Sequence, residues 1–182
     1  MSTLYHPFYC EENIWHLCQT LGDQPGLKWV VFISNPDRTV LFCNQRAGGR
    51  SGQVVWDYHV LLLLQVPMGW QVWDLDAQVS PPQDVETYLH SAFPYEIPPR
   101  SAEIPDALRP RFKLVPAAHY TREFASDRRH MRTLDKGWTQ PPPPWACIGR
   151  GHILDALIDV ESGKHGEVLD FEGFVERYAG HQ

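Results

Sequence analysis

The chain has little of what marks the more specialised protein classes. Its four cysteines, Cys10, Cys18, Cys43 and Cys147, are widely spaced and include no C-x-x-C pair, which argues against a disulfide framework and a structural zinc site. No apolar run exceeds the five residues of Val60–Leu64, far short of the about 20 a membrane-spanning helix needs, so no membrane is expected as a partner. Basic residues neither dominate nor cluster. Sixteen Lys and Arg against 22 Asp and Glu leave a net charge of -6, and the stretches Arg109–Lys113 and Arg128–Arg132 are short and interrupted. A phosphate-tracking surface is therefore excluded, and no nucleic acid is expected. The first residues lack a charged stretch followed by an apolar core, so no secretory leader is expected. With unpaired thiols, the expected compartment is the reducing cytosol, or cytosol plus nucleus. No histidine stands at ligand spacing from a second histidine or cysteine, so no metal is expected.

What is present is the material of one core. The length of 182 residues corresponds to a single domain over 1–182, and 43% hydrophobic content with seven Trp and eight Phe supplies its interior. Ile14, Trp15, Leu17, Cys18 and Leu21 recur at helical spacing over residues 11–21, and Gly22 with Pro25-Gly26 ends the pattern. Lys28–Ser34 and Thr39–Asn44 read as strands joined by a turn at Asn35-Pro36-Asp37-Arg38. Gln53–Val66 reads as one long strand, and Gly69–Asp76 as the strand that follows it. Asp84 is placed to cap a helix running to Phe93, and Asp170 one running to Tyr178. The five prolines of Pro94–Pro110 predict an irregular excursion, Phe112–Pro116 a short strand, His119–Phe124 a helical turn and Pro141–Pro144 a rigid wall or strap. The order predicts an α+β fold with a mostly antiparallel sheet packed with helices.

Chemistry enters with Cys10. It stands where the first helix begins, and a thiol there feels the positive end of the helix dipole, which favours the thiolate. Glu11 and Glu12 beside it would oppose that charge, so both are expected to point away from the sulfur. His59 can be placed by pairing rules. Side chains on a strand alternate, so Asp57 and His59 share a face. If Leu64 pairs with Gly69, Asp74 lies opposite His59. If Gln65 pairs with Trp70, Asp76 lies opposite and Asp74 diagonal. Either register sets a carboxylate beside the imidazole, the base and orienter that a cysteine nucleophile requires.

Several motifs then point the same way. Tyr9-Cys10-Glu11-Glu12-Asn13-Ile14-Trp15, Trp56-Asp57-Tyr58-His59-Val60, Asp74-Leu75-Asp76, Phe124-Ala125-Ser126-Asp127-Arg128 and Pro141–Pro144 resemble, in order, segments of the protein N-terminal glutamine amidohydrolase family. The likeness runs from about Tyr9 to Phe174. It implies a fold similar to the papain and transglutaminase class of thiol enzymes, and a monomer that needs no cofactor. It also implies conversion of N-terminal glutamine to glutamate with release of ammonia through a thioester. The catalytic cysteine, histidine and aspartate would be Cys10, His59 and Asp74. The implied partners are proteins or peptides with a free N-terminal glutamine, and other enzymes of the N-degron pathway. Such a substrate carries a cationic α-amine, for which Asp127, Glu12 and Asp57 are the candidates. Trp56, Tyr58, Phe124 and Ser126 are candidates to wall the slot. Two other classes are to be weighed against this reading. One is a transglutaminase- or peptidase-like thiol enzyme, and the other a reader of N-terminal glutamine without turnover.

Overall fold

The computed structural model describes residues 4–22 and 24–180. A six-stranded sheet organises it, with strands in the order β6-β5-β4-β1-β7-β8. They are β1 (Lys28–Ser34), β4 (His59–Val66), β5 (Gly69–Trp73), β6 (Gln83–Asp84), β7 (Arg111–Pro116) and β8 (Glu167–Leu169). Every pairing in this sheet is antiparallel. A separate antiparallel pair joins β2 (Val40–Phe42) to β3 (Val54–Trp56). The fold is α+β with an antiparallel sheet, as expected.

Strands β1 and β4 carry continuous apolar runs because both their faces are covered. Val30 and Phe32, with Val60, Leu62 and Val115, face helices α1 (Cys10–Leu21), α3 (Ala117–Glu123) and α4 (Leu154–Ile158). Val31 and Ile33, with Leu61, Leu63, Phe112 and Leu114, face α2 (Val85–Ala92) and α5 (Phe171–Tyr178). Lys113 interrupts this pattern in β7 and is fully buried. Its Nζ donates to the carbonyls of Ala156 (2.9 Å) and Asp159 (2.6 Å), satisfying the C-terminal end of α4. Asp84 caps α2 through the Thr87 N–H (2.9 Å), and Asp170 caps α5 through that of Gly173 (2.8 Å).

The structure differs from expectation at three places. The stretch 53–66 is two strands, not one. After Trp56 the chain leaves the β2–β3 pair and enters the main sheet at His59. The break is held by Ser34 Oγ donating to the Asp57 carbonyl (2.6 Å) and by the Tyr58 N–H donating to Asp57 Oδ1 (3.0 Å). Likewise β2 does not return along β1 but crosses to β3. Finally, α4 and β8 are too short to show a period in sequence, and neither was expected.

Phe174 of α5 lies face to face with Phe112, centroids 4.3 Å apart, and is almost fully buried. Phe174→Ala is expected to cost about 3–5 kcal/mol in denaturant unfolding.

Candidate active site

Cys10 is the first residue of α1, and Tyr9 precedes it without a side-chain cap. Its amide is one of the helix-start N–H groups with no intrahelical acceptor. Tyr9 is fixed by its hydroxyl, which donates to the Gln140 carbonyl (3.1 Å) just ahead of the proline run. Asn13 ties down the preceding segment by exchanging hydrogen bonds with the backbone of His6, 2.8 Å each way. The thiol is buried and takes the backbone N–H of Val60, the residue after His59. Cysteine and histidine thus come from opposite layers. Cys10 belongs to the α1 side, while His59, in register with Leu61 and Leu63, belongs to the α2 side. Cys10 meets β4 at Val60, the residue after His59.

Gln65 pairs with Trp70 and Val66 with Gly69, which is the second of the two registers considered. The ladder ends at Trp73, and the chain turns so that Asp74 reaches His59. His59 Nε2 lies 2.8 Å from Asp74 Oδ1. The same oxygen accepts the Asp76 N–H (2.9 Å), while Oδ2 accepts Gln45 Nε2 (2.8 Å) and the Tyr88 hydroxyl (2.9 Å). Burial disfavours a charged Asp74, yet the His59 ring and these donors hold its pKa below the usual carboxylate value. Burial likewise opposes a charged His59, but Asp74 raises its pKa above 6.5. Asp76 differs. Burial and the charge of Asp74 push it up, and its carboxylate accepts the Tyr5 hydroxyl (2.7 Å). Of the two acids, Asp74 is the one held ionised against the histidine.

His59, Asp74 and Asp76 also form a compact group of possible metal ligands, each offering one atom within 4.8 Å of the others. The four donors on Asp74 occupy all four of its lone-pair positions. That leaves it nothing to offer a cation, and the cluster is an orienting network.

The first turn of α1 contradicts one expectation. Glu11, Glu12 and Asn13 are all fully buried. Glu11 does not point away from the sulfur, for its Oε2 lies 3.8 Å from Cys10 Sγ. Burial, then Glu11 and Asp76, push the thiol well above its ordinary pKa, outweighing the Val60 N–H. The unliganded protein therefore holds Cys10 as a thiol, not the thiolate expected from the helix dipole.

The candidate substrate residues scatter. Glu12 is taken by Arg128, whose Nε and Nη2 meet its two oxygens at 2.7 and 2.8 Å, and by Trp145 Nε1 at 2.6 Å. Arg128 also reaches the Trp145 carbonyl (3.0 Å), so the segment after the prolines is strapped to α1. Glu12 is thus an internal anchor and has no free oxygen for an amine. Asp57 is exposed at the strand break, and its charge is among those that oppose a Cys10 thiolate. Asp127 lies on the surface against Arg129, which holds its carboxyl down at about 2. Phe124 packs on Tyr120 in the core, and Ser126 is buried with Oγ accepting the Arg128 N–H (3.2 Å). Trp56 lies parallel to His59, ring planes 13° apart, and the Tyr58 hydroxyl donates to Glu11 Oε2 (3.1 Å). These two are at the site. Sequence reasoning missed Gln45 and Tyr88, which act across the fold and leave no local signal, and met Arg128 only as the last residue of a motif, without a role. A cavity of about 1380 Å³ lies elsewhere, between α2, α5 and the proline-rich excursion, and touches none of the Cys10, His59 and Asp74 group.

Residues 5–178 match a family model described as N-terminal glutamine amidase. The chain belongs to this family. It is similar to relatives named protein N-terminal glutamine amidohydrolase. That of Bos taurus is 36% identical over 98% of this chain and 88% of its own. That of Homo sapiens is 39% identical over 87% and 77%. That of Drosophila grimshawi is 37% identical over 96% and 87%. The matched residues include Cys10, His59 and Asp74.

Removing one partner of the buried Glu12–Arg128 pair strands a charge in the interior. Arg128→Met is expected to cost about 3–5 kcal/mol, whereas Asp127→Asn at the surface should stay within about 0.5 kcal/mol; parallel denaturant melts compare them.

Proposed function

We propose that this protein hydrolyses the side-chain amide of an N-terminal glutamine, giving glutamate and ammonia. The observation that carries the reading is the local arrangement. A cysteine at a helix start abuts β4 beside a histidine whose Nε2 is bound to a charged aspartate, in a chain whose relatives are named for this reaction. On this reading the nucleophile borne on a helix and the base and acid borne on an antiparallel sheet correspond to the papain and transglutaminase class of thiol enzymes, within a single catalytic domain.

The chemistry follows from which nitrogen is free. Asp74 engages Nε2, so Nδ1 of His59 is left to exchange protons. Nδ1 takes the thiol proton as Cys10 Sγ attacks the side-chain amide carbon. The carbonyl electrons move to oxygen, and the free helix-start N–H of Cys10 is placed to receive them. The intermediate collapses and expels ammonia with the proton returned from Nδ1. A γ-glutamyl thioester remains. Water, losing a proton to Nδ1, adds to it, and the sulfur leaves as the thiol. The balance is glutamine plus water giving glutamate plus ammonia. Asp74 steadies the imidazolium formed at each transfer.

The product is an N-terminal glutamate, and we place the reaction in the arginine branch of the N-degron pathway beside that pathway's other enzymes. The protein would act there as a monomer, in the cytosol or in cytosol and nucleus. No helix among the described residues is long and apolar enough to cross a membrane.

Incubating the protein with a Gln-initiated peptide should shift the first residue by about +1 Da and release ammonia, without peptide cleavage or amine incorporation. Cys10→Ser and His59→Ala should fold and lose about three orders of magnitude or more in rate. Near-wild-type ammonia release from either variant sinks the mechanism. Because His59 must be neutral to act and Asp74 raises its pKa, the acidic limb of kcat/KM should lie above pH 6.5. A limb below that value contradicts the role given to Asp74.

A further inference from the structure

The first turn of α1 buries two carboxylates, and only one of them is spanned by a guanidinium. Glu12 is held by Arg128. Glu11 is equally buried and accepts the Tyr58 hydroxyl and the Cys10 thiol on Oε2, while Oε1 has no hydrogen-bond partner. His130 Nε2 lies 3.5 Å from Oε1, and the other nitrogen of that ring is itself unpartnered. A carboxylate inside a protein with an open acceptor is costly to keep. This one is kept 3.8 Å from the proposed nucleophile, where it also works against the thiolate. Two penalties at one position suit a group that is completed by a cation arriving from outside.

The substrate of the proposed reaction brings that cation. In an N-terminal glutamine the α-nitrogen stands four bonds of about 1.5 Å each from the side-chain amide carbon. With that carbon at Cys10 Sγ, the ammonium falls within reach of Glu11. We propose that Glu11 receives the α-ammonium group of the substrate and so selects terminal over internal glutamine. This rests on the amidohydrolase reading above. An internal or acetylated glutamine presents a neutral amide there and leaves Oε1 unpaired, the kind of loss that discriminates by orders of magnitude. The His130 ring beside Oε1 is itself 17% exposed in its side chain, so solvent reaches the residue next to this oxygen. The pairing has a second effect. Once the ammonium neutralises Glu11, the carboxylate no longer opposes negative charge on the sulfur. The thiol is then readied for attack only when a free N-terminus is in place.

The test crosses two enzymes with two peptides: wild type and Glu11→Gln, against a Gln-initiated peptide and the same peptide with hydrogen in place of the α-amino group. Ammonia release gives kcat/KM for each pair. Wild type should favour the amine peptide by about 100-fold or more, and Glu11→Gln by less than about tenfold. Alkylation of Cys10 by uncharged iodoacetamide at pH 7 should be faster in Glu11→Gln than in wild type, because a negative neighbour is gone. A purely structural Glu11 would not speed one reaction while slowing the other. Glu11→Asp, which keeps the charge but withdraws it by one methylene, serves as a second variant in case the glutamine variant does not fold. Its amine preference should fall at least tenfold while alkylation stays slow. A preference that survives in the folded variants overturns the assignment of Glu11, as does a wild type indifferent to the amine. A wild type that releases no ammonia from either peptide overturns the amidohydrolase reading itself, and this proposal with it.

Discussion

Burying the polar first turn of a helix is the constraint from which the rest of this site follows. Helix starts normally face water, which satisfies their open N–H groups and any carboxylates nearby. Here Glu11, Glu12 and Asn13 are all inside. Each therefore needs a partner, and the two carboxylates find theirs far along the chain. Asn13 takes the backbone of His6, Glu12 takes Arg128 and Trp145, and Glu11 takes Tyr58. Arg128 even adopts a left-handed backbone (φ 61°) in making its bonds, at a strain of roughly 1–2 kcal/mol for a non-glycine residue. The return is a cysteine held rigidly at a helix start away from bulk water.

The acid of the site is built on the same logic. Asp74 lies just beyond the end of β5, where the ladder stops and the turn is free to aim its side chain. Four donors then fix it, from His59, from the backbone of Asp76, from Gln45 and from Tyr88. A carboxylate so saturated cannot rotate and cannot be drawn off by solvent. It fixes the ring of His59 in turn, with Trp56 alongside and Phe42 edge-on, their centroids 6.1 and 5.3 Å away. Asp76 has the same chemistry and almost the same location, but its higher pKa and its bond to Tyr5 make it a lesser partner.

Much of this was legible before any coordinates. The period of Ile14, Leu17, Cys18 and Leu21 marks α1, and its start falls on Cys10. The pairing of β4 with β5 could be narrowed to two registers from turn length alone, and one of them is realised. The caps Asp84 and Asp170 are local and were readable for that reason. What escaped is non-local. Nothing near Gln45 or Tyr88 in sequence announces that both will meet Asp74. The strand break at Asp57 depends on Ser34, 23 positions earlier. The direction of Glu11 depends on Tyr58. Motif membership identified Glu12, Phe124 and Ser126 as special, but could not distinguish residues that touch a substrate from residues that keep the site in shape.

The bond between Glu12 and Arg128 has a consequence in time as well as in space. Arg128 is made 116 residues after Glu12, so the first turn of α1 can be neutralised only then, and the strap is complete only with the carbonyls of Trp145 and Ala146. While the growing chain is still held by the ribosome, Cys10 stands two positions from a carboxylate that has not yet met its guanidinium. The buried first turn of α1 therefore cannot be completed until residue 146 has been made.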